Sequence, residues 1–414
     1  MIKGYASKSE TKKYSKKFIH KSVSDFYSTT HNDLKLSSVG IGMYKGMKSD
    51  KGDKCWEKAL NQAILGGINV IDNAIRYRGQ RSEKLLGKVI SNLIKDKKIS
   101  RKEIFVTSKG GLIGTPYNQD DESYVKKYLI NTLQIKRKEI YQNIHCLALK
   151  FLKEQFKISR KNLGLSTLDC YFIHNPELAK SHLDNKQFYK RLELIFKWLE
   201  SLCKQGKIKN YGIASWNGFR RRQGARPYLD ISKIIKIAKL TGGKNHHLRF
   251  IEAPLSVGMP FIHNYNWKKK KNNTNLIKFL YQNNINFFSS ASTYEGNLQV
   301  LNKLTELFQM IGKKDSHEED KIPNISLPLS ENSLIQLFEL LYTQVNKKIV
   351  YNNKKIGLYP SALNYVRSYP YLTTALCGMN QVEFVKENLI LKKIKKLKAN
   401  DVLNLFTDLT CYKN

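Results

Sequence analysis

Four residues in the first half of the chain have the types and spacing needed for proton transfer. Asp72, Lys109 and His174 each end a short, mostly apolar run, and Tyr77 lies shortly after Asp72. Such runs predict buried strands. Because barrel enzymes place their chemistry at the carboxyl ends of the strands, we expect these side chains to lie together. The runs are 68–71, 104–109 and 168–174.

Together these side chains could reduce a carbonyl group. That reaction needs a hydride and an acid whose pKa can be brought toward neutrality. The pKa of a tyrosine is normally about 10, and an adjacent ammonium lowers it. Lys109 can therefore activate Tyr77, and Asp72 can keep Lys109 charged and oriented. His174 can donate to the substrate oxygen or position it.

Each of these residues also has a simpler structural explanation. A strand-end aspartate is usually a cap, a tyrosine usually packs in the core with a hydrated hydroxyl, and a lysine usually lies on the surface. His174 precedes Asn175 and Pro176 and could simply begin a turn. The presence of all four types at three consecutive strand ends favours the functional interpretation.

The elements that must position these residues alternate along the chain. Eight strand-like runs alternate with helical patterns, which predicts an α/β fold, a closed (β/α)8 TIM barrel with loop insertions. No GxGxxG follows the first strand, which argues against a Rossmann domain. The predicted strands are 36–43, 68–72, 104–109, 168–174, 211–215, 250–256, 285–291 and 372–377. The predicted helices are 54–65, one capped by Ser82, 145–163, 192–202, 231–240, 276–282 and 361–369.

The barrel is expected to span residues 36–395, with segments on either side. Residues 1–35 are predicted to be a basic N-terminal extension that packs on the barrel or partly frays. Residues 396–414 are predicted to be a C-terminal tail. Insertions are expected at about 111–140 and 312–330, and the length of the first favours a functional role.

The composition limits the classes of partner. The formal net charge is +38, but the lysines are spread along the whole chain without a compact nucleic-acid motif. We therefore expect no dedicated nucleic-acid role, and no apolar run is long enough to span a membrane. The six cysteines form no CxxC pair and no metal-ligand spacing, which indicates reduced thiols and no metal. We expect a cytoplasmic protein, although the basic N-terminus is also compatible with organelle targeting.

The motifs around the four residues resemble those of the aldo-keto reductase superfamily. IDNAIRY (71–77) is similar to its Asp and Tyr motif, VTSKGG (106–111) to its lysine motif and LDCYFIHNP (168–176) to its histidine motif. Residues 68–87, 206–220, 242–250 and 362–389 resemble one less-studied branch. The resemblance covers about 36–389 and implies a barrel reductase that uses a nicotinamide cofactor, usually NADPH.

The resemblance also implies where the cofactor binds. The family holds the nicotinamide amide with a Ser-Asn pair, for which Ser215 and Asn217 are candidates. The next strand usually supplies Gln, and this chain has Glu252, whose carboxylate can accept from the amide but cannot donate. Phe384 replaces an Arg or Gln of the family, so the preference for NADP over NAD rests on resemblance alone. The remaining expected cofactor residues are Gly296 at the pyrophosphate and Gly378, Met379, Asn380, Glu387 and Asn388 around the adenosine.

The sequence therefore predicts an NAD(P)H-dependent oxidoreductase that reduces an aldehyde or ketone, or runs the reverse reaction, with Tyr77 as general acid/base. The altered amide-binding residues leave a second hypothesis open: an NADP(H)-binding redox-sensing or regulatory subunit with little catalysis. A basic scaffold for nucleic acid ranks last. The substrate, the physiological direction and the oligomeric state stay open.

Overall fold

Short apolar runs form eight parallel strands that close into a barrel, as the alternating pattern predicts. The computed structural model describes residues 1–18, 23–221, 223–260, 262–263, 275–293, 350–351 and 354–411. The strands are β1 Val39–Gly42, β2 Val70–Asp72, β3 Phe105–Gly110, β4 Leu168–His174, β5 Ile208–Ala214, β6 Leu248–Pro254, β7 Asn286–Ser290 and β8 Leu372–Cys377. Each strand pairs with its neighbours in sequence, and β8 pairs with β1.

Amphipathic helices cover the outside of the barrel. They are α1 Asp50–Gly66, α2 Arg81–Lys95, α3 Leu149–Leu163, α4 Asn185–Lys204, α5 Ile231–Gly242, α6 Leu276–Gln282, α7 Leu358–Arg367 and α8 Val382–Leu389. α1 ends at Gly67 with a φ of +112°, a left-handed cap that glycine adopts without strain. Within the described residues, no helix combines the length and apolarity needed to cross a membrane.

The register places three of the predicted catalytic residues at one rim. Asp72 is the last residue of β2, Lys109 is the last but one of β3, and His174 is the last of β4. Because parallel strands all point the same way, these three positions meet at the carboxyl end of the barrel.

Residues 1–18 and 23–35 lie at the opposite end. The Ala6 amide donates to Asp169 at 2.6 Å, and Ile2 pairs with Leu165 just before β4. Leu34 and Leu36 pack with interior residues of the strands, so this segment closes the amino end of the barrel. Its elements are the helices Lys8–Lys16 and Ser24–Phe26 and the strand Tyr27–Thr29, which pairs with Lys35–Ser37.

Several short elements complete the fold. The C-terminal helix Ala399–Cys411 buries Val402, Leu405 and Phe406 in the main core. The 111–140 insertion has its own small apolar cluster, which includes Ile113 and Leu129. The 312–330 insertion lies outside the described residues. The remaining short elements are helices Arg101–Glu103, Asp121–Tyr124, Val125–Thr132, Arg137–Glu139, Glu177–Lys180 and Ile390–Lys393, and the pairs Ile140–Tyr141 with His145–Cys146 and Val350–Tyr351 with Lys354–Lys355.

Three local predictions are wrong. The helix predicted from residue 145 begins at Leu149, because His145–Cys146 form a strand. Ser82 does not cap α2: Gln80 is the N-cap with a φ of +71°, and the Ser82 hydroxyl donates to the Met43 carbonyl at 2.9 Å. The first predicted strand is split, since residues 36–37 belong to the hairpin under the barrel.

Candidate active site

Lys109 is at the centre of a polar cluster at the carboxyl end of the barrel. Its Nζ forms an ion pair with Asp72 and lies 3.1 Å from the Tyr77 hydroxyl and 3.3 Å from Glu252 Oε2. Thr107 Oγ1 donates to the other Asp72 oxygen at 2.6 Å. Burial alone would lower the pKa of Lys109, but the carboxyl groups of Asp72 and Glu252 raise it above its usual value. The buried lysine therefore stays charged.

Tyr77 presents its hydroxyl to this ammonium from the loop after β2. Burial raises the pKa of Tyr77 above its usual value, and the charge of Lys109 partly offsets that rise. The tyrosine is therefore protonated at neutral pH, which is the form that can donate a proton. The nearby lysine would stabilise the phenolate that such a transfer leaves behind.

His174 faces the same point from the end of β4. Its ring is edge-on to that of Tyr77, with 5.9 Å between the ring centroids. Burial, followed by the charge of Lys109, holds the pKa of His174 well below its usual range. A neutral imidazole can still donate one hydrogen bond. Tyr77 and His174 can therefore both approach a substrate oxygen as donors.

Glu252 is the one departure from the expected pattern that touches the cluster. Burial, followed by the nearby Asp72 carboxylate, raises the pKa of Glu252 to about 8, although Lys109 opposes the rise. A carboxyl with this pKa is largely protonated near pH 7 and can donate as well as accept. Glu252 can therefore both donate to and accept from an amide, whereas the sequence predicted that it could only accept. Its Oε2 is buried, and apart from the ion pair with Lys109 it has no hydrogen-bond partner among the described residues.

A cavity of about 580 Å³ opens above these side chains. Among the described residues, Tyr77, His174 and Asp72 line it, whereas Lys109 lies fully buried beneath. Six of the expected cofactor residues also line it: Ser215, Glu252, Gly378, Asn380, Glu387 and Asn388.

Two expected cofactor residues are not brought to this cavity. Met379 is fully buried in the core. Asn217 is not among the described lining residues, and its side-chain oxygen accepts from Arg220 at 3.0 Å. Gly296 lies outside the described residues, and its place at the pyrophosphate stays a prediction. The sequence could not give the direction of the Met379 and Asn217 side chains.

Glu177 organises the loop after β5, a role that the sequence motifs did not reveal. Its buried carboxylate accepts from the amides of Trp216 and Asn217, both at 2.8 Å, and from the Ser215 hydroxyl at 2.9 Å. Burial raises the pKa of Glu177, and these donors counteract the rise. Its signal in the sequence is an acid directly after the His-Asn-Pro turn, where a buried carboxylate needs backbone donors.

The Ser215 hydroxyl is thereby already engaged. It donates to Glu177 and accepts from the Gly218 amide at 2.8 Å. A serine hydroxyl has one proton and two lone pairs. One lone pair is therefore left, which could accept from an amide N–H but could not donate to an amide carbonyl.

The described residues contain no group of three or more His, Cys, Asp or Glu side chains that could hold a metal ion. The cationic side chains that line the cavity, among those described, are Lys45 and Arg76. The polar groups at the barrel rim are therefore the Tyr77 phenol as an acid, Lys109 in its ion pair with Asp72, and the neutral imidazole of His174.

Comparison with known proteins identifies related sequences. Residues 39–241 match the model of the Aldo/keto reductase family. The NAD(P)H-dependent D-xylose reductase of Kluyveromyces lactis is 26% identical over 230 residues, which are 52% of this chain and 63% of that protein. The chain spans about half to two thirds of the length of the curated relatives it matches.

Solved structures show the same fold. The glycerol dehydrogenase of Gluconobacter oxydans superposes with a TM-score of 0.57 at 16% identity, over 94% of this chain and 95% of that one. An aldo/keto reductase of Klebsiella pneumoniae, in complex with NADP and acetate, gives a TM-score of 0.54 at 14% identity, over 92% and 94% of the two chains. At these identities the likeness concerns the fold.

Proposed function

Because this chain belongs to the aldo-keto reductase superfamily, we propose that it is an NADP(H)-dependent oxidoreductase that interconverts a carbonyl compound and its alcohol. The observation that carries the proposal is the buried Lys109, with its Nζ 3.1 Å from the Tyr77 hydroxyl at the floor of a cavity. A protonated phenol beside a fixed ammonium is an acid whose conjugate base is stabilised in advance.

Each residue of the cluster has a part in this reaction. Tyr77 donates its proton to the substrate oxygen during reduction and takes it back during alcohol oxidation. Lys109 stabilises the phenolate, and Asp72 holds Lys109 in place. His174 donates to the same oxygen and orients the carbonyl. The cofactor, when bound, supplies the hydride.

The residues around the cavity fit a nicotinamide cofactor. Glu252 Oε2 is a buried polar atom whose one partner among the described residues is the Lys109 ammonium at 3.3 Å, which leaves it able to bond an amide group. Ser215 has one lone pair left beside it. The volume of about 580 Å³ lies within the usual range for ligand sites. NADP is favoured because some of the curated relatives are named as NADPH-dependent reductases and the Klebsiella structure contains NADP.

The test is cofactor binding followed by turnover. NADPH and NADH are titrated separately by fluorescence, and NADPH oxidation is then followed with a panel of aldehydes and dicarbonyls. We expect Tyr77→Phe to bind cofactor normally and to lose at least about a hundredfold in kcat, because the acid is removed while the site stays intact. Unchanged turnover in Tyr77→Phe, or no binding of either cofactor, would overturn the proposal.

One observation favours the second candidate, an NADP(H)-binding regulatory subunit with little catalysis. Glu252 brings a second carboxyl group to Lys109, and in its ionised form its charge adds to the effects that raise the pKa of Tyr77. This opposes formation of the phenolate. Tight cofactor binding without turnover of any substrate would select this candidate.

A further inference from the structure

Arg76 lines the cavity, and the proposed reaction gives it no role. It directly precedes Tyr77 on the loop after β2, and Leu112 from the loop after β3 lines the same cavity. The loop after β8 carries the expected adenosine residues, and β8 lies across the barrel from β4, which ends in His174. Arg76 lies beside Tyr77 and bonds to the loop after β3, and we take this side of the cavity as the one left for the substrate.

The guanidinium of Arg76 is held in place by the 111–140 insertion. Its Nη1 donates to the Ile113 carbonyl at 2.7 Å, and Nη2 donates to Asp121 Oδ2 at 3.1 Å. A longer contact of 3.4 Å joins Nη1 to Asp121 Oδ1. Asp121 is itself fixed, because the Thr115 hydroxyl donates to it. The side chain of Arg76 remains 30% exposed.

These contacts leave one edge of the guanidinium available. An arginine has five N–H donors in a planar fork. Asp121 binds the Nη1–Nη2 edge, whereas Nε and the second Nη2 proton donate to no described residue. A pair of parallel N–H groups of this kind binds carboxylate or phosphate in a bidentate manner.

Among the described residues, Asp121 is the one carboxylate that contacts this guanidinium, and it binds the other edge. The described carboxyl groups that line the cavity are Asp72, Glu252 and Glu387. Asp72 is ion-paired with Lys109, Glu252 lies at the same lysine, and Glu387 is on the adenosine side. The charge of Arg76 also reaches the reacting centre, since it adds to the effects of burial and Lys109 that lower the pKa of His174.

We propose that Arg76 is a specificity-determining residue that binds an anionic group, carboxylate or phosphate, carried by the carbonyl substrate. The inference rests on the proposed reductase function and narrows its substrate class. Held rigidly by Asp121, Arg76 fixes the far end of the substrate while Tyr77 and His174 bind the carbonyl oxygen. Its effect is on binding and orientation, so it acts mainly through KM.

The experiment compares matched charged and neutral substrates in the full chain with NADPH. One pair is 4-oxobutanoate and its methyl ester, and the other is glyceraldehyde 3-phosphate and glyceraldehyde. The two pairs separate carboxylate from phosphate recognition. The proteins are wild type, Arg76→Met, Arg76→Lys and the control Lys84→Met, which removes an exposed charge on α2 outside the cavity.

We expect wild type to favour the charged member of at least one pair by about tenfold or more in kcat/KM, as a charge-assisted hydrogen bond can supply. Arg76→Met should abolish that preference through KM, with turnover of the neutral member within about twofold of wild type. Arg76→Lys should retain part of the preference, and Lys84→Met all of it. Added salt should weaken the wild-type preference, because Arg76 is partly exposed.

Several results would overturn the inference. They are a wild type without preference in either pair, a preference that survives in Arg76→Met, an equal loss on both members of a pair, and a preference that salt does not change. Turnover of the neutral substrates reports on the reductase itself. If wild type reduces them without preferring the charged ones, this inference fails and the proposed function stands. If no substrate is reduced, both fail. Should Arg76→Met not fold, Arg76→Lys and the salt series decide.

Discussion

The two sides of the cavity differ in how their polar groups are satisfied. On the β2–β3 side, Lys109, Asp72 and Thr107 are bonded to one another. On the β5–β6 side, Glu252 Oε2 has no hydrogen-bond partner among the described residues beyond its ion pair with Lys109, and the loop that carries Ser215 is fixed from beneath by Glu177. The first side is organised before anything binds, whereas on the second side Glu252 Oε2 can still form a hydrogen bond to a ligand. This difference separates the side that would move a proton from the side that would hold a cofactor.

Removing the lysine should have the largest effect on the organised side. Lys109→Met leaves the buried Asp72 and Glu252 without their cation, and breaking a buried pair costs about 3–5 kcal/mol. The variant also removes the charge that stabilises the Tyr77 phenolate. We expect the free energy of unfolding to fall by this amount in urea denaturation and kcat to fall at least about a hundredfold. Stability equal to wild type would show that this side is not held together by its charges.

Loosening the loop after β5 tests the other side. In Glu177→Gln the acceptor is neutral, and an amide cannot replace both carboxylate oxygens beneath Ser215, Trp216 and Asn217. We expect the Kd for NADPH to rise about tenfold, because hydrogen bonds to a charged group are worth about 1.5–3 kcal/mol each and part of them is lost. Fluorescence titration measures this change.

The control for the loop is Glu193→Gln, which alters a partly exposed glutamate on α4. It should bind NADPH like wild type. A Glu177→Gln variant with an unchanged Kd and a lowered kcat would contradict the division between the two sides, since the loop would then serve the proton transfer.

The last expected effect is on the pH dependence of stability. The pKa of Glu252 in the folded chain is about 8, whereas in an unfolded chain it is about 4.3. The folded protein therefore keeps a proton that the unfolded chain loses. This contribution is full below about pH 4 and is lost as the pH rises to 8. Urea denaturation between pH 5 and 9 should show a steeper decline for wild type than for Glu252→Gln. Parallel curves would mean that Glu252 is ionised throughout.

The fold was accessible from the sequence where the apolar runs are long and clearly bounded. β4, β8 and α6 have the bounds that their patterns predict. The start of α3 and the cap of α2 were mispredicted, because a two-residue strand and a left-handed glutamine are fixed by contacts with distant segments. Such contacts leave no periodic signal in the chain.

The candidate site could also be predicted from the sequence only in part. Strand ends indicated Asp72, Lys109 and His174, because the end of a strand fixes where its last side chains lie. Beyond the strand ends the backbone is irregular. There the direction of the Met379 side chain, which is buried in the core, could not be predicted, and neither could the hydrogen bonds that Glu177 accepts from the β5 loop.

The closed amino end of the barrel has a consequence for the order of folding. The Ala6 amide bonds to Asp169, 163 positions later, and Ile2 lies against Leu165. On the ribosome, residues 2–6 are synthesised long before these partners exist. Closing so long a loop is entropically costly, so it comes late. Until β4 has been made, Ile2 and Ala6 lack these partners, and the base of the barrel is incomplete. The segment that comes first in the sequence is thus among the last to find its place.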